Sequence, residues 1–400
     1  KSHFHEIFSC PFGHFVVQWI TVCNKFFRLD NRFFMREFMF KDCYRHRRVL
    51  ITGHTGFKGS WLAFWLQSLG AEICGIALPA EGQPNHFSLL EMSFRSEICD
   101  IRNAAALQKL VSDFQPEVIF HLAAQSLVRR SYRDPVQTFE TNVLGTANLL
   151  EACRQCESVR AIVVISSDKC YENREWVWGY RENDALGGYD PYSASKGCAE
   201  LLVSSWRRSF FHPEEYGRKH QALLASARSG NVIGGGDWAE DRLVPDMMKA
   251  AAAGQTVDIR NPQAVRPWQH VLEPLSGYLL LGQLLLAEKP EFADAWNFGP
   301  TGQTPISVAD TAKALAASWP EISFRMHPQP DAPHEAGLLR LDCSKANSRL
   351  HWHPVWTAAE TFQRTAGWYR RFYREKQIST ADDLATYCKE AAEQDSIWSK

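Results

Sequence analysis

The chain has 400 residues, 45% of them hydrophobic and 22% charged, which is enough for more than one domain and a large buried core. Its 44 lysines and arginines nearly balance its 45 aspartates and glutamates, so the net charge of -1 excludes a general attraction to nucleic acid or to an acidic membrane. The 11 cysteines are scattered, which favours a reducing cytoplasm.

The sequence indicates neither a metal site nor a membrane span. Cys153 and Cys156 form a single CxxC pair, and no second pair completes a tetrahedral zinc site. No run of about eighteen apolar residues occurs.

Residues 1–46 are rich in phenylalanine and arginine and show little helical or strand periodicity. Their acidic residues argue against a transit peptide, and the pattern of a secretory signal is missing. We predict an N-terminal extension outside the fold, with Met35 or Met39 as the natural start of the protein.

From Arg48 onward, short apolar runs alternate with longer helical patterns, which is typical of βαβ units around a parallel sheet. Helices are predicted to begin near Phe57, Asn103, Pro135 and Pro191, each after a turn or capping residue. The predicted strands are residues 49–52, 72–77, 118–122, 161–166 and 222–229.

The first predicted strand leads into a turn that carries glycines at three-residue spacing, Gly53, Gly56 and Gly59, before an apolar helix. Glycine lets the backbone turn sharply and approach a cofactor pyrophosphate, whose charge lies at the helix N-terminus. Tight turns alone explain many glycine triplets, but the strand before this one and the helix after it favour a dinucleotide site.

The adenosine end of such a site is less well defined by the sequence. An acidic residue about twenty positions after the glycine turn usually binds the ribose. The second strand instead ends in Ala77, Leu78 and Pro79, which leaves NAD and NADP both open on this criterion. Asp100 and Ile101 are candidates for an adenine contact, with capping of the next helix as the alternative role of Asp100.

Two groups of side chains point to catalysis. Tyr192 and Lys196 lie one turn apart on a predicted helix, where an ammonium and a nicotinamide ring would favour the phenolate. Ser167, Asp168 and Lys169 follow a buried strand, at the edge where ligands bind in sheets of this kind. Turn chemistry alone could explain Ser167 and Asp168, but with Tyr192 and Lys196 present we favour catalysis.

After Gly230 the sequence changes to loops rich in glycine and proline, with shorter helices. We predict an α/β fold, a Rossmann-type doubly wound parallel sheet with a smaller C-terminal α/β substrate lobe. The dinucleotide-binding domain is predicted at residues 47–230, with a strand near 294–298 returning to its sheet. The substrate lobe is predicted at 231–375 and a C-terminal tail at 376–400.

These motifs, in this order and spacing, resemble the extended short-chain dehydrogenase/reductase superfamily and its NAD-dependent epimerase/dehydratase family over about residues 48–369. Finer features at 52–61, 167–171, 234–238 and 266–271 are similar to the branch of that family that dehydrates CDP-glucose. Relatives that act on dTDP-glucose or GDP-mannose typically carry an acidic pair where this chain has Asp168 and Lys169.

The resemblance implies NAD as the cofactor and CDP-glucose as the substrate of a lyase that makes a 4-keto-6-deoxy sugar for deoxysugar and O-antigen biosynthesis. It also implies a cytoplasmic homodimer or higher homo-oligomer, paired through the helices after Asp134 and Asp190, with no nucleic-acid or membrane partner. The implied catalytic residues are Ser167, Asp168, Lys169, Tyr192 and Lys196. Tyr192 and Lys196 are also implied to contact the cofactor. The other implied cofactor contacts are Gly53, Thr55, Gly56, Phe57, Lys58, Gly59, Asp100, Ile101, Ala123, Ala124, Gln125 and Asn142. The implied substrate contacts are Asn231, Arg242, Arg266 and His334.

In the implied reaction, the Tyr192 phenolate removes the proton of the sugar 4-hydroxyl as hydride leaves C4. Protonated Asp168 releases the C6 hydroxyl as water, and Lys169 handles the C5 proton. Ser167 stands where many relatives carry threonine and would donate a hydrogen bond to the developing oxyanion. The protonation state of Asp168 stays open at this point.

Two alternatives stay open. Another NAD-dependent sugar-nucleotide dehydratase or a 4-epimerase would also use Tyr192 and Lys196, although an epimerase does not need Asp168 and Lys169. A dinucleotide-sensing protein without activity would be expected to lack Tyr192 or Lys196.

Overall fold

A parallel β-sheet lies at the centre of the protein. The computed structural model describes residues 39–300, 306–327 and 337–400. The strands in these ranges are β1 (Arg48–Thr52), β2 (Glu72–Ala77), β3 (Arg95–Ile98), β4 (Val118–His121), β5 (Ala161–Ile165), β6 (Leu223–Ser229), β7 (Val232–Ile233), β8 (Thr256–Ile259), β9 (Val265–Arg266), β10 (Gln269–His270), β11 (Ala295–Phe298), β12 (Ile306–Ser307) and β13 (Ser323–Met326).

Seven of these strands form the main sheet, in the order β11-β6-β5-β4-β1-β2-β3, and all neighbours are parallel. The strand order reverses between β1 and β4, which opens a crevice at the carboxyl ends of the strands. The predicted doubly wound sheet is confirmed, and β11 joins it beside β6 as expected, with Ala295 opposite Ser226.

Helices cover both faces of the sheet. Those of the described residues are α1 (Phe57–Ser68), α2 (His86–Leu89), α3 (Ala104–Phe114), α4 (Val128–Arg133), α5 (Pro135–Phe139), α6 (Gly145–Arg154), α7 (Pro191–Ser209), α8 (Leu243–Ala253), α9 (Leu272–Leu286), α10 (Val308–Ser318), α11 (Ala358–Arg370) and α12 (Thr380–Glu393). The predicted starts of α1, α3, α5 and α7 are confirmed. They could be predicted because local residues set them: at α7, for example, the Asp190 side chain accepts from the Ser193 nitrogen at 2.9 Å and caps the helix.

The central strands are buried on both sides. Along β5, Ala161, Val163 and Ile165 enter one hydrophobic core, whereas Ile162 and Val164 enter the core on the opposite face. This alternation follows from the pleat of a strand that has helices above and below it.

The second lobe rests on three two-stranded sheets, which pair β7 with β10, β9 with β12 and β8 with β13. Its core joins α8, α10 and α11 through large side chains such as Met248, Trp319 and Phe362. The lobe stands beyond the carboxyl ends of β6 and β11, so its loops border the crevice of the main sheet.

The chain enters the fold earlier than predicted. Met39, Phe40 and Tyr44 are buried in the core of the main sheet, and Tyr44 donates to the Leu279 carbonyl at 2.5 Å. The predicted boundary of the extension at residue 46 is therefore wrong for residues 39–46. These aromatic side chains are held by distant partners, which local periodicity does not reveal.

The predicted C-terminal tail is also wrong, because residues 380–393 form α12 against the same core. Tyr387 stacks on Trp398 with ring centroids 5.5 Å apart, and Trp398 stacks on Phe40 at 5.3 Å. The two ends of the described chain thus pack together over the sheet.

Within the described ranges, no helix combines the length and apolar character needed to cross a membrane. The cysteines that the structure describes are all free thiols.

Candidate active site

The glycine turn between β1 and α1 brings three backbone segments into close contact. Gly53 has a φ of +78°, and a Cβ there would lie 2.7 Å from the Ala123 nitrogen. A Cβ on Gly59 would lie 2.1 Å from the Gly53 oxygen. Gly56 is exposed at the start of α1, where no side chain caps the first helical N–H groups. The turn therefore leaves backbone donors available to an anionic group such as a pyrophosphate.

The side chains of this turn point in different directions. Thr55 Oγ1 donates to the Leu78 carbonyl at 2.9 Å, and Phe57 packs on the edge of the core. Lys58 Nζ donates to Ser229 Oγ, 2.8 Å away at the end of β6. Burial and, to a smaller extent, the charge of Arg242 lower the pKa of Lys58 to about 7.

Asp100 does not cap the next helix. Its carboxylate accepts from the Arg102 guanidinium at 2.6 Å and from the Arg102 nitrogen at 2.9 Å, and this pairing holds its pKa below the usual range. Asn103 caps α3 by accepting from the Ala106 nitrogen at 3.1 Å. Ile101 is buried against the backbone of Gly145.

Behind the glycine turn, a buried histidine that was not among the predicted site residues ties β1 to α6. His121 lies 2.6 Å from Thr52 Oγ1 and 2.9 Å from Thr146 Oγ1. Thr146 Oγ1 donates its own proton to the Asn142 carbonyl. His121 Nε2 therefore donates to Thr146, and Nδ1 accepts from Thr52. Burial lowers the pKa of His121 to about 3, which keeps the ring neutral.

Asn142 connects the loop after β4 to the helix that carries Tyr192. Its amide oxygen accepts from the Gln125 nitrogen at 2.8 Å, and its amide nitrogen donates to the Gln125 carbonyl and to Ser195 Oγ at 2.8 Å. Ala123 and Ala124, in the same loop, are half-buried beside the glycine turn. The predicted cofactor residues of this loop therefore lie together at the carboxyl end of β4.

Ser167 caps a short turn at the end of β5. Its Oγ donates to Asp168 Oδ1 at 2.9 Å and accepts from the Lys169 nitrogen at 3.2 Å. Asp168 is 1% exposed, and its Oδ2 has no hydrogen-bond partner in the described part of the chain. A Cβ on Gly230 would lie 2.0 Å from that oxygen, so only glycine fits there. The Lys169 ammonium is half-exposed and forms no ion pair with any residue that the structure describes.

Tyr192 and Lys196 are both buried on α7, as their spacing predicts. Burial raises the pKa of Tyr192 to about 12, against the opposing influence of the nearby Ser167 hydroxyl. Burial lowers the pKa of Lys196 to about 8. Lys196 lines a small cavity with His121, Thr146 and Ser166. The structure thus brings Tyr192, Lys196 and the turn of Ser167 together at the crevice.

A buried ion pair lies behind Lys196. Glu200 accepts from Arg228 at 2.8 Å, and Ser226 Oγ donates to the same carboxylate at 2.9 Å. Arg228 also donates to the Tyr171 hydroxyl at 2.7 Å. Because Arg228 neutralises Glu200, this carboxylate does not hold Lys196 in an ion pair, and burial of Lys196 dominates its pKa.

The predicted substrate residues are only partly brought together. The half-buried Arg242 donates to Asp237 at 2.9 Å and to Ser126 Oγ at 3.3 Å, and its charge lowers the pKa of Tyr192. Asn231 lies two residues after the end of β6, with a φ of +34°. Arg266, in β9, donates to the carbonyls of Val265 and Gly337. His334 lies outside the described residues.

The chain has recognisable relatives. The sequence profile of the GDP-mannose 4,6-dehydratase family matches residues 50–365. The chain belongs to that family. A CDP-glucose 4,6-dehydratase of Salmonella typhimurium is 49% identical over 340 residues, which cover 84% of this chain and 94% of the relative. A dTDP-glucose 4,6-dehydratase of Haemophilus influenzae is 27% identical, with coverage of 80% and 97%.

Solved structures of other nucleotide-sugar enzymes share the fold. A UDP-glucose 4-epimerase of Thermus thermophilus in complex with NAD superposes with a TM-score of 0.69 at 25% identity, covering 81% of this chain and 99% of its own. A dTDP-glucose 4,6-dehydratase of Streptomyces venezuelae with NAD bound gives 0.68 at 23% identity, with coverage of 82% and 99%.

Proposed function

We propose that this protein is an NAD-dependent CDP-glucose 4,6-dehydratase that forms CDP-4-dehydro-6-deoxyglucose and water. The observation that carries the proposal is the buried pair of Ser167 and Asp168, hydrogen-bonded to each other at 2.9 Å and followed by Lys169, near enough to the buried Tyr192 to shift its pKa. Tyr192, the base for the oxidation, and Asp168, the acid for the dehydration, would then act on the same sugar. The CDP-linked glucose is supported by the name of the relative at 49% identity.

When bound, NAD would supply the hydride acceptor and donor that the oxidation at C4 and the reduction at C6 require. The backbone of Gly53, Gly56 and Gly59 would hold its pyrophosphate, since side chains are excluded from the turn. Asp100 and Ile101 would face the adenine. NAD rather than NADP is supported by the NAD-bound neighbours of the same fold.

The side chains divide the chemistry among them. Tyr192, as phenolate, removes the 4-hydroxyl proton. Ser167 stabilises the negative charge that develops on that oxygen by donating a hydrogen bond to it. Oxidation at C4 makes the C5 proton acidic, and Lys169 removes it and later returns it. Asp168 protonates the C6 hydroxyl so that it leaves as water. Lys196 supplies the positive charge that favours the phenolate.

The nucleotide end of the substrate calls for cationic side chains near the crevice. Arg242 lies close enough to Tyr192 for its charge to lower the pKa of the phenol, and Arg266 lies on β9 of the second lobe. Their guanidinium groups suit diphosphate oxygens. Asn231 and His334 complete the proposed set of substrate contacts.

A product assay tests the proposal. The purified protein is incubated with NAD+ and, separately, with CDP-glucose, dTDP-glucose, GDP-mannose and UDP-glucose, and the base-induced absorbance of a 4-keto sugar is recorded. CDP-glucose is expected to give the strongest signal. A signal only with another nucleotide would reassign the substrate, and none with any of the four would refute dehydration.

A 4-epimerase is the second candidate, because a UDP-glucose 4-epimerase shares this fold. The family resemblance implies that an epimerase would also use Tyr192 and Lys196. The burial of Asp168 beside Ser167 argues against it, since epimerisation needs no acid at C6. The product assay separates the two, because an epimerase leaves the C6 hydroxyl in place.

We also propose that the protein works as a homodimer. Val136, Leu144 and Leu201 are 69%, 58% and 59% exposed on α5, the turn after it and α7, which pack against one another. These are the helices that the family resemblance assigns to pairing. Apolar side chains this exposed are typical of a surface that another chain covers.

A further inference from the structure

The ammonium of Lys196 lies between the proposed catalytic phenol and a buried carboxylate. Tyr192, Lys196 and Glu200 follow one another at four-residue spacing on α7, which places them on one face of the helix. Lys196 and Glu200 are 7% and 2% exposed. Lys196 forms neither a hydrogen bond nor an ion pair with the residues that the structure describes. A buried ammonium on a flexible four-carbon stem needs a partner to fix its orientation, and these contacts do not supply one.

A small cavity lies beside this ammonium. Its volume is about 10 Å³, close to the space that one buried water molecule needs, and its polar lining comes from Lys196, Glu200, Ser166, His121 and Thr146. Two of these side chains carry a buried atom without a hydrogen-bond partner in the described ranges, Ser166 Oγ and Glu200 Oε1. Buried polar atoms are nearly always paired, and ordered water serves where the protein supplies no partner.

The other polar groups of the lining are already engaged. His121 and Thr146 are hydrogen-bonded to each other and to neighbouring residues. Glu200 Oε2 accepts from Arg228 at 2.8 Å and from Ser226 Oγ at 2.9 Å, which leaves Oε1 for a further bond. The cavity therefore offers an ammonium donor, a carboxylate acceptor and a hydroxyl that can act as either, which is a set that suits water.

We propose that one water molecule binds in this cavity, accepts from the Lys196 ammonium and donates to Glu200 Oε1, with Ser166 Oγ as its third partner. Glu200 and Ser166 are then positioning residues, because they act on Tyr192 only through the water and the lysine. A metal cation would be repelled by Lys196 and by Arg228, which already pairs with Glu200, so a neutral ligand fits. The role of the lysine rests on the proposed function, whereas the water site does not.

The bound water also preserves the charge of the lysine. Burial lowers the pKa of Lys196 to about 8, and the negative charge of Glu200 opposes that effect. Displacement of the water removes an acceptor from the ammonium and favours the neutral amine, so the pKa falls further and the charge is lost at a lower pH. The other titratable groups around the ammonium are Tyr192 on α7, Cys170 after β5, His121 at the end of β4, Lys58 on α1 and Arg228 on β6.

Crystal structures of the wild type, with and without NAD+, test the site at a resolution that shows ordered water. We expect one water molecule within hydrogen-bond distance of both Lys196 Nζ and Glu200 Oε1. Ser166→Val replaces the hydroxyl with methyl groups that fill the cavity, so its structure is expected to lack this water. A wild-type cavity that is empty, or whose water does not reach Lys196, would overturn the proposal.

The pH profile of kcat tests the positioning role. Ser166→Val is expected to move the alkaline decline down by about one pH unit, because the ammonium loses its water. Val159→Ala, in the same hydrophobic core but outside the cavity, controls for lost stability and should leave the decline at its wild-type pH. Glu200→Gln would leave Arg228 buried without its ion-pair partner, so the test uses the serine variant.

The two measurements separate this inference from the proposed function. A wild type that holds the water but forms no deoxy sugar would refute the dehydratase function and leave the water site standing. A wild type that forms the deoxy sugar, with a Ser166→Val profile that matches its own, would overturn the positioning role and leave the function standing.

Discussion

The charge of Lys196 depends on its burial. Its pKa is lowered to about 8, so the ammonium is present below that pH and is lost as the pH rises through it. Because the ammonium favours the Tyr192 phenolate, we expect kcat to fall above about pH 8 in the wild type. Lys196→Arg keeps its charge and should lack this alkaline decline, even if its rate is lower. Profiles of the two enzymes that fall together would contradict this role.

Lys169 distinguishes oxidation from elimination. With Lys169→Glu, we expect C4 oxidation to persist while elimination slows about 100-fold or more, the usual cost of losing a general acid–base group. Reduced nicotinamide should then accumulate on the enzyme, as followed by its absorbance. Lys169→Arg is the matched control for charge. Formation of the deoxy product at the wild-type rate by Lys169→Glu would rule out this role.

At the residue scale, the sequence predicts what lies on one local segment. Tyr192 and Lys196 share a helix, and Ser167 and Asp168 are neighbours in one turn, so their proximity was readable from spacing. The approach of Lys58 to Ser229, 2.8 Å apart and 171 positions distant, depends on how α1 and β6 meet. No pattern along the chain encodes that contact.

At the element scale, α12 shows why the C-terminal end was mistaken for a tail. Its apolar face covers a groove that exists only once α9 and the residues from Met39 have packed. The buried Glu273 of α9 holds this region by accepting from the nitrogens of Val355 and Trp356 at 3.0 and 2.8 Å and from the Tyr387 hydroxyl at 2.7 Å. A single buried carboxylate therefore joins three segments.

Glu273 makes the stability of this region depend on pH. Burial raises its pKa from 4.5 to about 7, so the folded protein binds this proton more tightly than the unfolded chain. The resulting stabilisation is complete below about pH 4.5 and is lost as the pH rises towards 7. Relative to Glu273→Gln, the wild type should lose up to about 3 kcal/mol of unfolding free energy between about pH 5 and about pH 8. Urea unfolding of both proteins at the two pH values measures this, and a constant difference would contradict it.

At the scale of the whole molecule, one chain supplies a complete set of proposed catalytic groups. Tyr192 and Lys196 come from α7, and Ser167 and Asp168 come from the segment that joins β5 to α7, one strand away from the switch in strand order. The same helix α7 carries Leu201, which is exposed. Pairing through α7 would therefore fix the helix that holds the catalytic tyrosine without adding a group to its site.

This pairing predicts that a charge at position 201 weakens the dimer. In Leu201→Glu, each subunit would bury a carboxylate and lose about 1.5–3 kcal/mol of apolar burial, so dissociation should become at least 100-fold easier. Met326→Glu, also at an exposed apolar position but on β13, is the control and should leave association unchanged. Sedimentation velocity over a concentration series measures all three proteins. A wild type that stays monomeric, or two variants that behave alike, would exclude α7 as the interface.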